Sequence, residues 1–143
     1  MIKKSNILFF FLFFIILLTT CKKDNNNGQI PNVYVNFYIY LSDPEFAALN
    51  SVGTAVRVTG GVKGIIVYRA TWDEFIALER VSSYQPENLC PVEIDSTGIY
   101  AKDPCSESKF SLFDGMPVKG PATAPLKMYR SLFDGTNSVH IFN

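Results

Sequence analysis

Beyond residue 33 the apolar rhythm of this chain is broken every eight to twelve residues by clusters of glycine, asparagine, aspartate or proline. Residues 33–41 alternate strictly, with Val33, Val35, Phe37, Ile39 and Leu41 on one face and Tyr34, Asn36, Tyr38 and Tyr40 on the other. That is the period of a strand, and the tyrosines imply a second face that is partly covered. Residues 44–50 read as a short helical turn, with Ser42 and Asp43 as cap candidates. Strands are expected at 56–59 and 65–69, on either side of Gly60-Gly61-Val62-Lys63-Gly64, and again at 75–78. Two hairpins follow, 92–95 with 99–101 around Ser96-Thr97-Gly98, and 128–133 with 139–142 around residues 134–138. No amphipathic pattern of helical length occurs after Asn50. Many short strands with closely spaced turns fit an all-β sandwich or barrel.

The first 20 residues stand outside this pattern. Lys3 and Lys4 precede a twelve-residue apolar run, residues 7–18. At about 1.5 Å per residue the run reaches about 18 Å, short of the roughly 30 Å hydrocarbon core, so it reads as the apolar region of an export signal. Leu18-Thr19-Thr20-Cys21 follows and resembles a bacterial lipoprotein signal, in which Cys21 is lipidated and becomes the mature N-terminus. Thr20 departs from the smaller residue usual before that cysteine, and an ordinary secretory signal is the other reading. Residues 22–28 carry no apolar side chain to bury and read as a solvated tether. They also resemble the Lys/Asp export signal of some Gram-negative surface lipoproteins; a plain linker fits them as well. The expected organisation is a lipoprotein signal peptide over 1–20, a flexible tether over 21–32 and a β domain over 33–143. Such a domain would be lipid-anchored in the cell envelope at the outer membrane, on its periplasmic or surface face. Without Lys3 and Lys4, 11 basic side chains face 13 acidic ones, a net charge of −2, and no basic patch remains to suggest nucleic acid.

Residues 85–125 carry a second signature. They read Gln85-Pro86-Glu87-Asn88-Leu89-Cys90-Pro91-Val92, then Asp103-Pro104-Cys105-Ser106-Glu107-Ser108-Lys109-Phe110, then Gly120-Pro121-Ala122 followed by Pro125-Leu126. This resembles the disulfide-containing branch of the Rieske iron-sulfur domains. There the first loop runs Cys-x-His-x-x-Cys, the second Cys-x-Cys-His before a small residue and an aromatic, and a Gly-Pro-Ala loop closes over the cluster. Fifteen residues separate Glu87 from Asp103, within the family's span between ligand loops. Residues 64–69 and 75–80 resemble the two strands that lead into the first loop. The resemblance covers residues 56–142 and implies a Rieske-like small antiparallel β sandwich or barrel with a ligand-loop subdomain at residues 81–113.

A Rieske [2Fe–2S] cluster is held by two thiolates and two imidazoles. The matching positions here hold Gln85, Glu87, Asp103 and Ser106, whose oxygens are poor substitutes at a soft iron-sulfur centre. The resemblance therefore implies the fold while the residues imply no cluster. Aligning Cys105 and Ser108 with the second ligand pair, and Ser83 and Gln85 with the first, retains one ligand of four and misplaces Phe110. Convergence of the four oxygen-bearing residues would suit a hard cation such as calcium or magnesium; polar capping of two loops is the plainer reading. The family's loop-joining cysteines correspond to Cys90 and Cys105, which implies a disulfide, and an even pair in an oxidising compartment agrees with it. Neither belongs to a Cys-x-x-Cys pair, so a redox-active thiol is not indicated. His140 is the sole histidine, far from both loops in sequence, and supports no catalytic triad. Trp72 marks a turn edge beside Asp73 and Glu74. Together these readings imply a non-enzymatic binding or structural module, anchored to the membrane by its N-terminal lipid, with an envelope protein as partner at the loop tip. The rival is a Rieske-type electron-transfer protein.

Overall fold

The computed structural model describes residues 28–143. The expected signal peptide and its lipidation candidate Cys21 lie outside the described residues. Among these residues ten strands make two antiparallel sheets. The larger has the order β1-β10-β9-β4-β3-β2 and the smaller the order β5-β6-β7-β8. The elements are β1 (Asn36–Tyr40), a 3₁₀ turn (Pro44–Asn50), β2 (Ala55–Val58), β3 (Ile65–Arg69), β4 (Phe75–Glu79), a second 3₁₀ turn (Pro86–Asn88), β5 (Glu93–Ile94), β6 (Tyr100–Lys102), β7 (Lys109–Ser111), β8 (Pro117–Lys119), β9 (Met128–Phe133) and β10 (Ser138–Phe142). Among the described residues no helix is long and apolar enough to cross a membrane.

Strands β3 and β4 explain the layering. All ten of their residues are buried. An antiparallel strand with one wet face alternates in sequence; these two do not, because both of their faces are covered. Ile65, Val67, Phe75 and Ala77 point into one core with Val35, Ile39, Leu41, Leu49, Tyr129, Val139 and Ile141. Ile66, Tyr68, Ile76 and Leu78 point the other way, into a second core with Val92, Ala101, Phe110, Leu112, Ala122 and Leu126. β4 and β9 pair only through Ala77 with Tyr129 and Leu78 with Met128, so the large sheet curls around the first core. The small sheet lies in the chain between β4 and β9 and packs over the outer face of β3 and β4. The chain is all-β, and this base sheet with a loop-bearing subdomain is the layout that the Rieske resemblance implies.

Several expectations need correction. β1 is shorter than the alternation suggests, and its tyrosine face is not covered: Tyr34, Tyr38 and Tyr40 are 82%, 54% and 47% exposed. Tyr38 instead stacks on His140 across the strand pair, ring centroids 4.2 Å apart. Asp43 occupies the N-cap position of the first 3₁₀ turn, but its side chain makes no capping bond. β7 and β8 have three residues each, too few to display a period, and β8 opens on a proline, a residue kept to strand starts and edges.

Candidate functional site

The small sheet carries the two loops at which the Rieske resemblance places its ligands. A bridge between Val81 and Pro91 and the bond from Ser82 N to Cys90 O (2.8 Å) close the neck of the first loop. Its 3₁₀ turn is flanked by Gln85 at φ 47° and Leu89 at φ 50°. The second loop joins β6 to β7; Asp103 N donates to Ser108 O and Glu107 N to Asp103 O, both at 2.9 Å, and Glu107 sits at φ 63°. These are the only non-glycine residues with positive φ among the described residues. At about 1–3 kcal/mol each, such conformations persist only where the surroundings lock them.

Two locks are present. Cys90 and Cys105 form a disulfide with their Cα atoms 6.5 Å apart, joining loop to loop. The second lock is Asp103, whose side chain is fully buried. Its Oδ2 accepts from Ser82 Oγ of the first loop at 2.6 Å and from Ser106 Oγ at 2.5 Å, and its Oδ1 accepts from Cys105 N at 2.8 Å. Ser106 Oγ also lies 2.8 Å from Ser108 Oγ, and Ser108 Oγ accepts from Ala122 N at 3.0 Å. One network therefore runs from the first loop through the second to the Gly120-Pro121-Ala122 loop. Ser83 Oγ donates to Ala124 O at 2.6 Å and fastens the first loop to the third directly. Gly120 and Pro121 are exposed, whereas Ala122 is buried in the second core.

Burial pushes the Asp103 carboxyl up, but hydrogen bonds from Ser106, Ser82 and the Cys105 and Ser106 amides outweigh it and hold the group below the ordinary aspartate range. Asp134, held at about 2 by the amides of Ser138, Thr136 and Asn137, shifts the same way. A carboxylate with a lower pKa folded than unfolded contributes stability above its unfolded pKa and loses it as pH falls through its folded one. The melting temperature should therefore drop as pH is lowered from about 4 towards 2. Asp103→Asn should shift that acid limb measurably, since one of the titrating groups is gone. An unchanged acid limb in the variant would show that Asp103 is not an ionised partner of the loops.

The four ligand-equivalent positions divide into a hydrogen-bonded pair on the second loop and an exposed pair on the first. Asp103 and Ser106 bond to each other, but Gln85 and Glu87 are exposed on the first loop, and Gln85 Oε1 accepts from Asn88 instead. The first-loop residue that meets Asp103 is Ser82, which sequence reading passed over because one of two adjacent serines after Val81 carries no signal of its own. The donor set does not fit a Rieske cluster. The sulfurs of Cys90 and Cys105 and a carboxylate oxygen of Asp103 lie within 4.8 Å of one another, but the disulfide leaves neither sulfur as a thiolate. The alternative register, with Cys105 as a ligand, fails for the same reason. The imidazole of His140 is in β10, with Nε2 2.7 Å from Asn36 Oδ1. Among the described residues no buried side-chain nitrogen or oxygen lacks a hydrogen-bond partner.

A second buried carboxylate escaped the sequence reading. Glu79 ends β4 with no solvent exposure. Its oxygens accept from Val62 N (2.7 Å), Lys63 N (3.0 Å), Val81 N (3.1 Å) and the Tyr129 hydroxyl (2.7 Å). Burial, with the hydrogen bond to Glu79, holds the Tyr129 phenol well above its ordinary pKa. Gly61, at φ 61°, lies so close that a Cβ there would collide with the carboxylate. The available signal was an acid closing an apolar strand in a chain that also offers a glycine-rich loop.

The chain matches no protein-family model and no curated protein. Solved structures similar in shape include a chain of the complex of reduced oxygenase and oxidized ferredoxin in carbazole 1,9a-dioxygenase, at 25% identity over 64% of this chain and 82% of that one, TM-score 0.46. The ferredoxin of carbazole 1,9a-dioxygenase from Nocardioides aromaticivorans IC177 aligns at 16% identity over 77% and 97%, TM-score 0.48. The E. coli protein NirD aligns at 13% identity over 76% and 98%, TM-score 0.43.

Proposed function

We propose that this chain is a cluster-free Rieske-like domain, lipid-anchored through Cys21 in the bacterial cell envelope, where it serves as a non-catalytic contact module. The observation that carries the reading is the closed network at Asp103. The Ser82–Asp103 hydrogen bond and the disulfide bind the loops directly to each other, and two further bonds within the second loop fix the Asp103 carboxylate, whereas in the family pattern a cluster links the loops. The contact surface is then the loop tip, made by the first loop, the second loop and Gly120-Pro121-Ala122, and it is redox-silent. A catalytic role lacks a constellation: the sole histidine bonds to Asn36, and both cysteines of the described residues are in the disulfide.

Electron transfer through a [2Fe–2S] cluster is the competing reading. Protein matured under iron-replete conditions should be colourless and free of stoichiometric iron and sulfide. Two iron atoms per chain with a Rieske-type paramagnetic resonance signal would overturn the proposal, because two irons are the full complement of such a cluster.

A further inference from the structure

Part of the segment expected to be tether lies instead against the loop tip. Gly28, Gln29 and Ile30 line a groove of about 400 Å³ together with Ser83, Pro86 and residues 124–127. Gly28 packs so closely on the 3₁₀ turn that a Cβ there would meet Glu87 Oε2 at 3.0 Å and the Pro86 ring at 3.3 Å. The next residues are fastened too: Asn32 Oδ1 accepts from Lys127 Nζ at 3.2 Å, and Val33 O accepts from Asn143 Nδ2 at 2.6 Å. The chain thus leaves the body of the domain beside the first loop.

Only the six residues 22–27 separate Cys21 from Gly28. Fully extended, that connection spans about 25 Å; as a flexible chain it averages about 15 Å. A folded partner of 100 residues has a radius of gyration of about 13 Å and so a thickness of about 30 Å. It does not fit in the gap. From this we infer that the surface met by the loop tip is the phospholipid bilayer itself, with the first loop and residues 120–125 resting at headgroup level. The inference depends on the lipid anchor proposed above and names the partner of that contact. The tip exposes Glu87, Asn88, Thr123 and Pro125, and none of the bulky exposed apolar side chains of the described residues belongs to it. Such a surface has nothing to insert among acyl chains, so the contact stays at headgroup level and is held by the short tether rather than by the affinity of the tip itself.

The test uses the full, lipidated chain in phosphatidylethanolamine–phosphatidylglycerol vesicles that carry a nitroxide on the headgroup. Trp72 is the sole tryptophan, so a Trp72→Phe background receives one reporter at a time. Asn88→Trp, and independently Thr123→Trp, place it at the tip. Leu132→Trp places it on a 60% exposed site of β9, five residues along the strand from Lys127 and about 17 Å from the groove. Both tip reporters should be quenched severalfold more strongly than the one at position 132. If the vesicle-bound protein shows equal quenching at the three sites, or none at the tip, another occupant holds the tip off the bilayer and the inference is wrong. Flotation separates that failure from the failure of the anchor. Should the wild-type chain not float with vesicles, or should Cys21→Ala float equally well, the lipid-anchor reading falls and takes the inference with it.

Discussion

Glu79→Leu is expected to cost about 4 kcal/mol or more, the largest effect of any single substitution proposed for this domain. Four donors converge on the carboxylate, three of them backbone amides with no freedom to turn elsewhere. Leucine is close in size and would relieve the desolvation of a buried charge. It leaves the buried Val81 N and Tyr129 hydroxyl without an acceptor, at about 1–3 kcal/mol each, and takes a charge-assisted bond from the part-buried Val62 and Lys63 amides. Glu79→Gln should fall between: it keeps one carbonyl oxygen but presents an amide N–H to donors that need an acceptor. Urea midpoints for the wild type and both variants would rank them, at unchanged slope if unfolding stays two-state. A leucine variant within about 1 kcal/mol of wild type would show that the residue 60–64 loop is not held by this carboxylate.

Replacing both Cys90 and Cys105 with serine should lower stability by about 2–4 kcal/mol, as the chain-entropy estimate for a closed loop of about 15 residues suggests. The structure adds where the loss is felt. The disulfide spans two loops that contain three non-glycine residues at positive φ, and it sits beside the Asp103 bonds to Ser82 and Cys105 N. Without it, Asp103 alone must oppose the strain. Amide exchange should therefore rise first over residues 82–90 and 103–108, while β1 and β10, in the other core, keep most of their protection. A non-reducing peptide map of exported protein with two free thiols would refute the bond itself, whatever the stability of the variant.

How legible the fold was depended on whether one strand face is wet. β9 is found at the expected residues and β10 to within one, and β1 shows the anticipated buried face, because alternation records a solvent boundary that the chain must respect. β3 and β4 were recognised as strands, but their unbroken burial reflects a second layer supplied by residues far along the chain. Three-residue strands such as β7 are set by pairing with β6 rather than by any pattern of their own.

The loops divide in the same way. Residue types alone exclude thiolate and imidazole ligands at Gln85, Glu87, Asp103 and Ser106, since that is a matter of which atoms are present. The pairing of Cys90 with Cys105 was also readable, from the family pattern and the even count. How the two loops are fastened to each other and to the rest of the domain was not. Ser82 rather than Gln85 or Glu87 meets Asp103, Glu79 closes the glycine loop, and Gly28 lies on the Pro86 turn. Each of these depends on contacts between residues 17 to 58 positions apart, and only folding sets such distances, because a polar side chain is satisfied by whichever donor or acceptor the packed backbone carries into its reach.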